Sequence, residues 1–103
     1  MKSIIQNNVD HCFMCLSNSN LETHHVIGGA HKTKSEYYGL LVKLCPLCHR
    51  VGKHAVHNNR QNMDRLRALA HVAFEGEYSD LDWLRTFGRN YNHLLEDEGG
   101  WGK

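Results

Sequence analysis

Four cysteines stand in two pairs, Cys12 with Cys15 and Cys45 with Cys48, and each pair has two residues between its members. A turn of this kind supplies two thiolates to one tetrahedral ion, and two such turns complete a set of four ligands. The pairs are 29 residues apart, a gap that a β-hairpin can fill. We expect a structural zinc ion with every coordination position occupied; disulfides or free core thiols are the alternatives.

Histidines form the second group of chemically capable residues, and the chain has nine of them. His24 and His25 are adjacent, His49 directly follows the second cysteine pair, and His54 and His57 come soon after. Neighbouring side chains of a strand point to opposite faces, so His24 and His25 are not expected to bind the same ion. If the His24 side chain faces a metal ion, the His25 side chain points toward water or substrate, which is the position of a general base.

Two short strands are predicted to carry these groups. Alternation of polar and apolar residues predicts a strand over 21–27, and the run YGLLVKL predicts another over 38–44, directly before the second cysteine pair. The glycines and lysines of GGAHKTKSE predict a loop over 28–36. The two strands would form a hairpin whose base is closed by one metal ion.

Two helices are predicted in the second half of the chain. Apolar residues at helical spacing indicate an amphipathic helix from about Arg60 to Glu75, with Asn58 or Asn59 as its N-cap. A shorter helix is predicted over 79–88, with Ser79 as its cap. The packing residues of this second helix are expected to be Leu81, Leu84 and Phe87, with Trp83 either extending that surface or lying at its edge.

The length of 103 residues indicates one small α+β domain over 1–103. We divide it into a metal-bearing core over 12–60, a helical extension over 61–95 and an acidic, glycine-rich tail over 96–103 that is expected to fray. The N-terminal segment has no apolar run of the kind found in secretion signals, and no run is long enough to span a bilayer. We therefore expect a cytoplasmic protein with reduced thiols and no membrane partner.

Charge is distributed unevenly along the chain, although the net charge is only +1. Residues 31–67 hold eight lysines and arginines against two acidic residues, for a charge of +6, whereas residues 68–103 carry −4. The basic part suits a polyanion such as DNA, held through its backbone with little sequence specificity. The residues expected to contact DNA are Lys32, Lys34, Arg50, Lys53 and Arg60.

The segments CFMC, ETHHVIGG, LVKLCPLCHR and AVHNN occur in this order over about residues 12–60. This combination resembles the HNH endonucleases, also called ββα-metal or His-Me finger nucleases, and in particular small phage-type members that join the finger to a four-cysteine zinc. It is also similar to the nuclease domain of phage recombination-enhancement nucleases, which act with a recombinase.

The resemblance implies a zinc-stapled ββα-metal finger with a C-terminal helical extension, acting as a metal-dependent DNA endonuclease or nickase. It implies His24 as a ligand of the catalytic ion and His25 as the general base. His49 is then a second ligand, and a later histidine is the third, His57 being preferred to His54. A site rich in histidine accepts Mg²⁺, Mn²⁺, Ni²⁺ or Zn²⁺.

One feature of the family pattern is missing, because the region before the second predicted strand has no asparagine. Its role would pass to Asn58 or Asn59, or to a backbone carbonyl that orients His25. The expected partners are DNA and a recombinase or other DNA-processing protein of a phage or its bacterial host, with the chain acting as a monomer or weak dimer. The alternatives are a non-enzymatic zinc-finger module that binds DNA or protein, and an inactive nuclease fold that regulates a partner.

Overall fold

A computed structural model of the protein describes residues 2–95 and residue 101. Over this part of the chain, two strands and three helices follow one another, interspersed with short helical turns. They are β1 (Glu22–His25), α1 (Lys32–Tyr38), β2 (Leu41–Leu44), α2 (Arg60–Glu77) and α3 (Trp83–Phe87). The prediction of a small α+β protein with a two-stranded sheet is confirmed. None of the helices within the described residues is both long and apolar enough to cross a membrane.

The two strands pair antiparallel, as predicted, but both are shorter than the sequence pattern suggested. Thr23 lies opposite Lys43, and His25 lies opposite Leu41. The second strand begins at Leu41 because Tyr38 still belongs to the preceding helix and Gly39 ends that helix with a left-handed conformation, φ +77°. A Cβ atom on Gly39 would also lie 3.1 Å from the carbonyl oxygen of Lys2, so only glycine fits this turn.

The prediction of a loop over 28–36 is wrong, since α1 occupies most of this segment. The glycines lie outside the helix, and its seven residues contain neither glycine nor proline. Ser35 holds the helix in place: its side chain is fully buried, and its Oγ donates to the carbonyl oxygen of Ile27 at 2.5 Å and accepts from the Ile27 N–H at 3.2 Å. A polar helix is thus tied to the end of β1 by one buried hydroxyl.

Helix α2 is confirmed, and its apolar face contributes Leu66 and Phe74, both fully buried, to the same hydrophobic core as Val42 and Leu44 of β2. Its N-cap is Asn59, whose side chain accepts a hydrogen bond from the N–H of Asn62 at 2.9 Å. The tail predicted to fray, over 96–103, lies outside the described residues apart from Trp101.

Helix α3 begins four residues later than predicted, and this changes which side chains are buried. Asp82, not Ser79, is the N-cap, and its carboxylate accepts from the N–H of Leu84 at 3.0 Å. Leu84 is 48 % exposed and Leu81 is also exposed, so both predicted packing residues are wrong, whereas Phe87 is buried as expected. The buried face belongs to Trp83, because the turn that starts at Asp82 directs the indole inward, where it stacks on the ring of His71.

Candidate metal centres

The four cysteines converge at one place, as their spacing predicted. Their sulfur atoms all lie within 4.8 Å of one another, and the Sγ atoms of Cys15 and Cys45 are 3.6 Å apart. Ligand bonds of about 2.3 Å at tetrahedral angles place two sulfur atoms about 3.8 Å apart. The four thiols therefore fit around one metal ion.

Backbone hydrogen bonds to β2 bring the two cysteine turns together. The N–H of Phe13, inside the first turn, donates to the carbonyl oxygen of Lys43 at 2.8 Å. The second turn follows β2 directly, since the strand ends at Leu44 and Cys45 is the next residue. One strand thereby positions both pairs of ligands.

The cysteine thiols are influenced in opposite directions by their surroundings. Burial raises the pKa of Cys12, but backbone N–H groups of Cys15, Cys45 and Met14 outweigh it and lower the value to about 7. Burial raises the pKa of Cys48, and the negative charge of Cys12 adds to this effect. Without a cation the cluster thus favours one thiolate beside protonated neighbours, and a bound cation would drive deprotonation of the others.

A second cluster is formed by His24, His49 and His57, whose ring nitrogens all lie within 4.8 Å of one another. The Nε2 atoms of His49 and His57 are 3.2 Å apart. Metal bonds of about 2.0–2.1 Å at tetrahedral angles separate two ligand nitrogens by about 3.3 Å. The three imidazoles thus have the spacing of a ligand set, and among the two alternatives for the third histidine it is His57, not His54, that lies in it.

His24 is the buried member of the cluster, at 4 % exposure, and its Nε2 has no hydrogen-bond partner within the described part of the chain. An unsatisfied buried polar atom is costly, and a ligand at this atom removes the cost. Burial lowers the pKa of His24 to about 3, with repulsion from His49 and His57 as the next causes. The imidazole is therefore neutral at physiological pH, as a metal ligand must be.

The segment after the second cysteine turn brings His57 and His49 together. Cys48 and His49 lie in a short helical turn over Leu47–Val51, and the chain then folds back along it. The Val56 N–H donates to the carbonyl oxygen of Cys48 at 2.9 Å, and the His57 N–H donates to that of His49 at 3.2 Å. Because one turn carries Cys48 and His49 as neighbours, the two clusters share a backbone support.

Glu22 orients His49, and sequence analysis missed it. Its Oε1 lies 2.7 Å from Nδ1 of His49, while Arg50 binds the same carboxylate with its Nη2 at 2.8 Å and its Nε at 3.2 Å. The Arg50 guanidinium and then His49 lower the pKa of Glu22 to about 2. The carboxylate is therefore ionised, so Nδ1 of His49 carries the proton and Nε2 presents its lone pair to the cluster.

We expect Glu22→Gln to weaken metal binding at the histidine cluster by about 10- to 100-fold, because loss of the carboxylate removes the group that fixes the tautomer and orientation of His49. Titration with Co²⁺ or Zn²⁺, with the four-cysteine site already filled, measures the change. Glu77→Gln, an exposed substitution at the end of α2, is the matched control. Equal affinities for wild type and Glu22→Gln would contradict the orienting role.

His25 points away from the histidine cluster, as alternation along β1 predicts, yet it lines the same cleft. That cleft is bordered by His24, His25, His57, Thr23 and Lys32, among other residues. The Glu36 carboxylate of α1 approaches His25, with its Oε1 3.7 Å from Nε2, which is too far for a hydrogen bond. Neither asparagine named as a substitute orients His25: Asn58 donates to the carbonyl oxygens of Arg50 and Gly52, and Asn59 caps α2.

Of the five residues expected to contact DNA, only Lys32 lines the histidine cleft. Three have partners within the protein: Lys34 donates to the carbonyl oxygen of Thr86, Arg50 binds Glu22, and Arg60 pairs with Asp64. The role of Arg50 is thus to hold Glu22 in place. Lys53 is exposed on the loop that follows the helical turn. Of the five residues, Lys32 and Lys53 are therefore the best candidates for contact with DNA.

Arg67 of α2 belongs to the basic segment 31–67, but its place beside the histidines was not predicted. It lines a cavity of about 380 Å³ together with His24, His25 and His57. No local pattern marks Arg67 or Glu36, because packing of helices against the sheet brings them to the site. The position of Glu22 could have been predicted, since it stands two residues before His24 and alternation places both side chains on one face of β1.

Comparison with known proteins finds no matching family model, and no curated protein or solved structure is significantly similar to this chain.

Proposed function

We propose that this protein is a metal-dependent endonuclease or nickase of the HNH type, which hydrolyses DNA phosphodiester bonds. The observation that carries the proposal is the histidine constellation: three imidazoles lie together with ligand spacing, and the next residue along β1, His25, borders the same cleft without joining them. A binding module has no need of this arrangement. A hydrolase that uses a metal and a general base requires it.

The two clusters suit different tasks. The four cysteines supply a complete set of thiolate ligands, which is typical of structural zinc, and we assign zinc to this site. The histidine cluster supplies three ligands and borders a cleft, which leaves a coordination position for water or substrate, as in catalytic sites. We assign an exchangeable divalent ion to the histidines.

The residues of the cleft have separate roles in the proposed reaction. A divalent ion, when bound, supplies a Lewis acid for the scissile phosphate and the leaving 3′-oxygen. His25, which borders the cleft without joining the ligand set, accepts the proton of the attacking water. Lys32, at the edge of the cleft, places a cation where the DNA backbone approaches.

Nicking of supercoiled plasmid tests the proposal. The protein is treated with a mild chelator until the histidine site is empty while one zinc ion per chain is retained, and Mg²⁺, Mn²⁺, Ni²⁺ or Zn²⁺ is then restored in turn. We expect no nicking after chelation and open-circular product after restoration of at least one of these ions. His57→Ala should remove the response to metal, whereas His93→Ala, a substitution at an exposed histidine outside both clusters, should keep it.

Two outcomes would contradict the proposed nuclease activity. If folded, zinc-bound protein binds DNA but cuts no form of it with any of the four ions, the nuclease proposal is wrong and a non-enzymatic zinc module is favoured. If nicking survives chelation and is equal in His57→Ala, it comes from a contaminant or from another site, and the histidine cluster is not catalytic.

A further inference from the structure

The face of the sheet that carries His25 also borders a cavity that the proposed reaction does not use. Alternation along β1 places Thr23 and His25 on one face, and the register of the sheet places Lys43 and Leu41 opposite them. Thr23 and Leu41 both line the cavity, which has a volume of about 400 Å³. Ligand pockets have volumes of roughly 300–1,000 Å³. The cavity is therefore large enough for one nucleobase with its sugar.

Three tyrosines make the lining of this cavity aromatic: Tyr37, Tyr38 and Tyr78. Tyr38 is held by edge-on packing against Phe74, and the Tyr78 hydroxyl donates to the carbonyl oxygen of Tyr38 at 3.1 Å. Tyr37 is different, because it is 80 % exposed, and its ring meets the Tyr38 ring in a T-shaped contact with centroids 4.9 Å apart. Tyr38, itself packed against Phe74 and Tyr78, thus supports one aromatic ring that is largely exposed to solvent.

The tyrosine cavity adjoins the histidine cleft. Thr23 lines both of them, and Glu36 lines the cavity while its carboxylate lies 3.7 Å from Nε2 of His25. A cation lies at this boundary, since Lys43 donates its Nζ to the Thr23 hydroxyl at 2.7 Å, and a second cation, Lys2, lines the cavity. A DNA strand with one phosphate at the histidines would bring the neighbouring nucleoside to the tyrosines.

We propose that the tyrosine cavity binds one unpaired nucleobase of DNA, stacked on Tyr37, so that the substrate is single-stranded or locally unpaired DNA. The placement of the scissile phosphate beside this base rests on the proposed function. Every nucleobase has a π-face, so stacking on Tyr37 is tolerant of sequence. A paired base must leave the duplex to enter the cavity. Unpairing and unstacking cost free energy, and an unpaired base avoids this cost.

Binding without cleavage tests this inference separately from nuclease activity. Chelated protein that retains its zinc is titrated into fluorescent oligothymidine and into a duplex of the same length. We expect tighter binding of the oligothymidine, and we expect Tyr37→Ala to weaken it by about tenfold, in line with stacking on one base. Tyr37→Phe, which keeps the ring, should bind within about twofold of wild type, as should the control Leu84→Ala, which truncates an exposed apolar side chain on α3.

A photocrosslink identifies the contact. Oligothymidine carrying one 4-thiothymine should crosslink to the peptide that contains Tyr37, as read by mass spectrometry. The inference is overturned if Tyr37→Ala binds oligothymidine as wild type does, if duplex binds as tightly as oligothymidine, or if the crosslink maps away from the cavity. A protein that cuts no DNA but shows the Tyr37 effect would retain this binding site while the proposed nuclease activity fails.

Discussion

His25→Ala is expected to lower the rate of plasmid nicking by about 10²- to 10⁴-fold, the usual contribution of a positioned general base. The variant should still bind metal at both clusters, because His25 is not among the ligand groups. The physical reason is that the substitution leaves the three histidine ligands in place and removes only the group that accepts the proton of the attacking water. The measurement is the rate of open-circle formation at saturating metal, with metal content determined for both proteins.

Two controls make this result specific to the base. His93→Ala changes an exposed histidine and should nick at the wild-type rate. Added imidazole should restore part of the activity of His25→Ala, since the cavity left by the side chain lies at the cleft, and it should leave His57→Ala inactive. If His25→Ala nicks as fast as wild type, or if it loses the divalent ion, His25 is not the base.

Cys45→Ser is expected to abolish zinc binding at the four-cysteine site and to remove most of the protein's stability. Structural zinc contributes roughly 10–16 kcal/mol of binding free energy in small zinc domains, whereas a domain of this size is stable by only about 5–15 kcal/mol in total. The two clusters share the turn that carries Cys48 and His49, so nicking should be lost as well. Urea denaturation and zinc content per chain are the measurements.

The control for this prediction is His49→Ala, which removes a ligand of the other cluster from the same turn. That variant should keep its zinc and nearly all its resistance to urea while losing metal-dependent nicking. If Cys45→Ser loses zinc but unfolds at the wild-type urea concentration, the four-cysteine ion is not a structural staple. The hydrophobic core around Leu66 and Phe74 would then suffice for folding.

Local sequence patterns predicted the elements that depend on local interactions. The helical spacing of apolar residues along 60–77 indicated α2, and the asparagine before it indicated the N-cap. The same approach failed over 28–36, where a helix with no strong periodicity is stabilised by the buried hydroxyl of Ser35. It also failed at the start of α3, where the choice of Asp82 over Ser79 as cap moved Trp83 into the core.

By itself, then, the sequence determined which residues have metal-binding chemistry, since the cysteine spacing and the adjacent histidines follow from residue types and strand alternation alone. Tertiary structure decided which of them meet. Backbone hydrogen bonds from Val56 and His57 placed His57, rather than His54, beside His49. Packing of α1 on the sheet brought Glu36 to His25, and that of α2 brought Arg67 to the histidines. Contacts between residues far apart in the chain depend on how whole elements pack, and no local pattern encodes that.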